Sequence, residues 1–259
     1  RVLNLQTPSE VLLDLTRKPE LPSHLRREWT RAVWVRAVLL ERWDVAANAT
    51  PDLLDLEPEL KDSLGGFASA TPEEQSRQAL MALLRHPGLR WMVFQGINHR
   101  TFTEPGEKPL PLRHRDTFLG ACWWPGPWGN SIDADVAADY YWWGSSFYYP
   151  KPHVLEQPLH SLVGTGPLSV PWLNQDQRGR GAAEGRRLVA LDDAPDWLAA
   201  HALAWAEAAP EDPRIPEALH HAVRTGKVGG KKHFDRKCFR LLHTRYKQSP
   251  WAAKTPIHY

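Results

Sequence analysis

The side chains best equipped for chemistry are aromatic, acidic, histidine and basic, and they gather in separate segments. From Phe118 to Tyr149 there are eleven aromatics in 32 residues, including the adjacent pairs Trp123–Trp124 and Trp142–Trp143. Indole and phenol rings offer flat apolar faces with a polar rim, suited to a local core, a protein interface or stacking on sugar rings. Neighbouring residues of an extended chain point to opposite sides. One ring of each Trp pair can then enter the protein while the other needs a second surface; leaving it in water forfeits about 1.5–3 kcal/mol. The only charges in this stretch are Asp133, Asp135 and Asp139. Two carboxylates flanking a glycosidic bond could cleave it, but Asp133 and Asp135 read equally as turn or cap residues.

Other constellations are weaker. The 12 histidines lack metal-ligand spacing: His220–His221 are adjacent and point to different helix faces, and no zinc-protease or haem pattern occurs. Arg113-His114-Arg115-Asp116 looks acid–base, yet its arginines would hold Asp116 in an ion pair on a surface turn. Gly226–Lys232 is rich in glycine and lysine without the spacing of a phosphate-cradling loop, and there is no Gly-x-Ser-x-Gly elbow. No cofactor or metal is expected, and no catalytic residue is assigned. Cys122 and Cys238 are the two cysteines. They can form one bridge in an oxidising compartment or stand as unrelated thiols.

Charge is asymmetric. Between Arg224 and Lys247 there are nine Lys/Arg against one acid, Asp235, although the whole chain carries only +2. Such a segment suits an acidic protein or an anionic headgroup surface. No nucleic-acid module accompanies it, and nucleic acid is not an expected partner. The candidate partner-binding residues are therefore Trp123, Trp124, Trp142, Trp143, Lys231, Lys232 and Arg236.

The elements that position these residues read as mostly helical at both ends. With 259 residues, 42 % hydrophobic and 24 % charged, the chain has the balance of a soluble protein able to bury a core. No apolar run approaches the roughly 20 residues that cross a bilayer. The chain opens Arg1-Val2-Leu3-Asn4, which reads as a processed or trimmed form. A short helix is expected after Thr7-Pro8. A second runs from a cap at Ser23 to about Arg42, apolar over so much of its girth that it needs neighbours on two sides. A third, from about Asp44 to Ala49, is cut by Pro51 and Pro58. Thr71-Pro72-Glu73-Glu74 is a strong start signal. From about Gly96 to Gly185 no helical period is sustained, and helix returns at Asp192. Ile215, Ala218, Leu219, Ala222 and Val223 then mark one face, and helices follow from Phe234 and Ser249. The expected organisation is helical repeats over 1–95, an irregular aromatic-rich insertion over 96–190, and helical repeats over 191–259.

Two C-terminal segments echo each other 37 residues apart, each a helix, a turn ending in Pro and a new helix: Leu203–Ala206 with Pro210–Ala218, and Arg240–His243 with Lys247–Thr255. A period in the thirties built of helix–turn–helix units signals an α-solenoid. Tyr246-Lys247-Gln248-Ser249-Pro250-Trp251-Ala252-Ala253-Lys254 resembles the tetratricopeptide-like repeats of bacterial envelope proteins. The likeness covers about 192–259, more loosely 23–86, and fails in the middle third. More narrowly, the chain is similar to exported bacterial proteins that combine Trp-rich segments with such helices. The resemblance implies a periplasmic or envelope location, soluble or peripherally attached. It also implies a non-catalytic scaffold or accessory subunit that binds one or more other proteins in a larger complex. The alternative is an exported glycan-binding or glycan-cleaving protein using the Trp/Tyr stretch.

Overall fold

The computed structural model describes residues 3, 6–86, 89, 91, 172–192, 194–226 and 233–258. Of the described residues 74 % are helical, and none lies in a strand. The helices are α1 (Ser9–Thr16), α2 (Ser23–Leu39), α3 (Trp43–Leu56), α4 (Lys61–Leu64), α5 (Pro72–Arg85), α6 (Gln175–Val189), α7 (Ala194–Ala208), α8 (Ile215–Gly226), α9 (Phe234–Arg245) and α10 (Pro250–Ala253), with 3₁₀ turns at Pro58–Leu60 and Phe67–Ser69.

α2 is apolar round most of its girth, and its second half is buried on every side, from Ala32 to Leu40. It packs against both α1 and α3, the two neighbours its breadth demands. α2 and α3 run antiparallel, because their contacts close towards the turn: Arg31 meets Glu57, and the Trp34 Nε1–H donates to Thr50 Oγ1 at 3.0 Å. The turn is tight. Arg42 N–H donates to the Ala37 carbonyl and Glu41 N–H to the Val38 carbonyl, with Glu41 at φ 57°. This is a Schellman closure with a non-glycine residue in the left-handed position.

Two expectations need correction here. Ser23 is the first residue of α2, not its cap; Pro22 precedes the helix and no side chain caps it. Pro51 does not end α3 but lies inside it. A proline removes one ladder bond, and side chains serve the carbonyls nearby: Thr50 Oγ1–H donates to Ala46 O at 2.8 Å and Arg17 to Asn48 O at 2.9 Å. The start at Thr71 is as expected, with its side chain accepting from Glu74 N–H and Pro72 in the first turn.

Within the segment 96–190 expected to be irregular, Gln175–Val189 is helical, and residues 96–171 lie outside the described residues. Asn174 and Gln177 form a reciprocal capping box at its start. α6 docks on the N-terminal helices through small and polar groups. Glu184 accepts from Ser9 N–H and Oγ–H and pairs with Arg42 at 2.9 Å. Arg187 donates to the Leu40 carbonyl at 3.1 Å. One helix thereby serves the free start of α1 and the free end of α2.

The N- and C-terminal helices share a hydrophobic core. It includes Trp34, Leu53, Phe67, Leu83 and Leu84 on one side and Leu198, Ala202, Leu219, Val223 and Leu242 on the other. α5 bridges them, packing on α7 and α8. Charge pairs rim this junction. Arg85 grips Glu217 with two bonds of 2.6 and 2.7 Å, and Arg214 grips Glu74 at 2.6 and 2.9 Å. Arg214 also pairs with Asp212 and lies over the Trp205 ring.

Candidate functional site

The C-terminal helices present the one predicted partner-binding residue that is described, Arg236. α9 forms because Asp235, Cys238 and Leu242, spaced as one helical face, find a buried seat against α7 and α8. The Cys238 thiol donates to the Ala199 carbonyl at 3.6 Å, and the Tyr246 hydroxyl to the Pro210 carbonyl at 2.8 Å. The start of α9 thus lies by the start of α7, and its end by the end of α7. The two run side by side in the same direction, with the chain returning along α8 between them. The five apolar positions predicted for α8 are all fully buried. Trp205 and Leu242, which correspond in the 37-residue echo of Leu203–Ala206 and Arg240–His243, are both in the core.

The last segment is fastened by histidines. His220 Nδ1 lies 2.6 Å from Thr255 Oγ1, whose own proton goes to the Trp251 carbonyl; the ring nitrogen is therefore the donor. His243 Nε2 donates to the Thr255 carbonyl at 2.7 Å, and His258 Nε2 lies 3.2 Å from Asp235 Oδ2. His258 packs against Phe239, and Trp251 against His220. The chain after α10 consequently runs back along one flank of α9, leaving Ile257 63 % exposed beside it. Reading the sequence did not find this clasp. The echo of Arg240–His243 and Thr255 in the repeat was the one available signal.

With that face buried and that flank covered, α9 turns Arg236, Lys237, Arg240 and Thr244 to solvent, followed by Lys247. None of these four cations meets a carboxylate among the described residues. Arg245, by contrast, pairs with Glu211 at 3.2 Å.

Trp123, Trp124, Trp142, Trp143, Lys231, Lys232 and Cys122 lie outside the described residues. So do Asp133, Asp135, Asp139 and the Arg113–Asp116 run. Cys238 carries a free, buried thiol. Burial, with Asp235 nearby, pushes its pKa well above the ordinary thiol range, which makes it a packing group rather than a nucleophile.

The titratable groups that depart from ordinary behaviour serve structure. Burial lowers the pKa of Arg36 to about 10; its guanidinium donates to the Trp91 and Leu3 carbonyls at 2.8 and 2.7 Å. Burial pulls His201 down, against its bond to the Trp197 carbonyl, and the two rings stack at 3.7 Å. Burial acts to raise Glu217, but nearby His221 and the bonds from Arg85 outweigh it and bring the pKa to about 2. Among the described residues no group of three or more His, Cys, Asp or Glu is arranged to hold a metal ion. Among the described residues, the exposed basic stripe of α9 and the exposed Ile257 on the segment along its flank are the candidate contact surface. Comparison of the chain with family models, with curated proteins and with solved structures finds no match.

Proposed function

We propose that this protein is a non-catalytic, protein-binding scaffold built of tetratricopeptide-like helix pairs, an accessory subunit of a larger assembly. The observation that carries the reading is the relation between α7–α8 and α9–α10. Three side-chain bonds cross from one pair to the next: Cys238 to Ala199, Tyr246 to Pro210 and His220 to Thr255. They join residues 39, 36 and 35 positions apart. Separations in the thirties, with first helices parallel and neighbouring, are what stacked helix–turn–helix units produce. Such stacks commonly offer surface for other proteins, and the unpaired cations of α9 are surface of that kind.

The likeness of Tyr246–Lys254 to repeats of bacterial envelope proteins supports a partner in the envelope, with the chain soluble or peripherally attached there. No helix among the described residues is long and apolar enough to cross a membrane.

The test is isolation of the protein from its native source under mild conditions after light cross-linking, with identification of what co-elutes. A reproducible, stoichiometric protein partner is expected. Elution as an isolated chain would overturn the reading.

A further inference from the structure

The basic stripe of α9 is costly to the fold that carries it. Arg236 and Arg240 are four residues apart and Lys237 and Arg240 three, so like charges face each other on one helix. Arg236 and Lys237 also stand in the first turns of α9, where the helix dipole disfavours cations. Elsewhere among the described residues many arginines are paired: Arg17 with Asp52, Arg31 with Glu57, Arg42 with Glu184, Arg85 with Glu217 and Arg214 with Glu74. Lys237 lies 5.9 Å over the Phe234 ring, but none of the stripe's cations has a carboxylate partner among the described residues, so ion pairing gives no reason to keep it.

We infer that the outer face of α9, with Arg236, Lys237 and Arg240, and with exposed Ile257 on the segment along its flank, docks an acidic segment of a partner protein that also carries an apolar side chain. The inference rests on the scaffold reading and names the chemistry of the partner. Charge complementarity selects the acidic groups, and Ile257, exposed on the segment along the flank of α9, selects the apolar one. A membrane surface is disfavoured, because an interfacial helix carries a row of large apolar side chains on its exposed side. Here the exposed large hydrophobics among the described residues are Trp172 and Ile257 alone. A nucleic-acid strand is disfavoured because it stacks bases on exposed aromatics, whereas Phe234 and Phe239 on α9 are packed against the core.

The experiment is fluorescence anisotropy with the full chain and a fluorescein-labelled Glu-rich peptide containing leucines. Its Lys-for-Glu counterpart and phosphatidylglycerol vesicles are the comparison arms. The acidic peptide is expected to bind, and to weaken by about tenfold or more between low and physiological salt. Arg236→Glu with Arg240→Glu is expected to abolish binding. Lys61→Glu with Arg186→Glu changes net charge equally at exposed sites elsewhere and is expected to stay within about twofold. Circular dichroism checks that both variants fold. The inference is overturned if the two peptides bind alike or neither binds, if both double variants lose binding equally, or if vesicles bind and the acidic peptide does not. If the peptide fails but a native partner still co-elutes, and does so with the α9 variant too, this surface is wrong and the scaffold reading stands.

Discussion

At the scale of single residues, the buried charges among the described residues are held by close partners. Glu217 shows this best. It receives Arg85 through two bonds and lies 3.7 Å from His221. Its pKa falls from 4.5 to about 2 on folding. A carboxylate with a depressed folded pKa adds stability above its unfolded pKa and loses that contribution as pH falls towards the folded value. Part of the acid unfolding of this protein is therefore expected between about pH 4.5 and 2 from this one group. Glu217→Gln should lower stability at neutral pH and flatten the pH dependence in that window, read from urea midpoints measured across it. A Gln variant with an unchanged acid limb would show that the pair does not contribute. At Arg36 burial prevails and disfavours the charge, in contrast to Glu217, yet its bonds to the Trp91 and Leu3 carbonyls tie distant chain segments to α2.

At the scale of elements, what the sequence discloses depends on which residue types occupy the buried face. In α8 that face is Ile215, Ala218, Leu219, Ala222 and Val223, and an apolar pattern of helical period was enough to find it. In α6 the buried positions Gly181, Glu184, Gly185 and Leu188 follow the same spacing, but glycine and glutamate fill it. No apolar period survives, and the helix was read as irregular chain. Pro51 follows the same logic: local propensity favours a break, while the packing of α3 on α2 keeps the helix intact. The cations Arg236, Lys237 and Arg240 of α9, and Lys247 after it, are legible as charge. Their unpaired exposure is not, because it depends on which face Cys238 and Leu242 bury. Gly181 tests this account of α6. A Cβ added there would stand 2.0 Å from the Gln6 carbonyl oxygen, whereas nothing lies within 4 Å of one at Gly179. Gly181→Ala is expected to destabilise by about 1–3 kcal/mol through overpacking. Gly179→Ala should instead stabilise by up to about 1 kcal/mol, the helix preference of alanine over glycine. Equal urea midpoints for the two variants would mean that α6 does not rest on Gln6.

At the scale of the whole molecule, helices from both ends of the chain form a shared core, and α5 locks the first set to the second through Arg85–Glu217 and Arg214–Glu74. Within the second set, α9 has α7 and α8 on its buried side and the His-fastened C-terminal segment along one flank. Its remaining side is the basic stripe. A partner that docks there must order the end of this set and leave the helices of the first half almost untouched. Hydrogen–deuterium exchange of the full chain, with and without the partner that co-elutes from the native source, reads this directly. The account predicts slower exchange across 234–258 on complex formation, with 9–56 unchanged. Exchange across 234–258 that is the same in both states, with protection confined to 9–56, would contradict it.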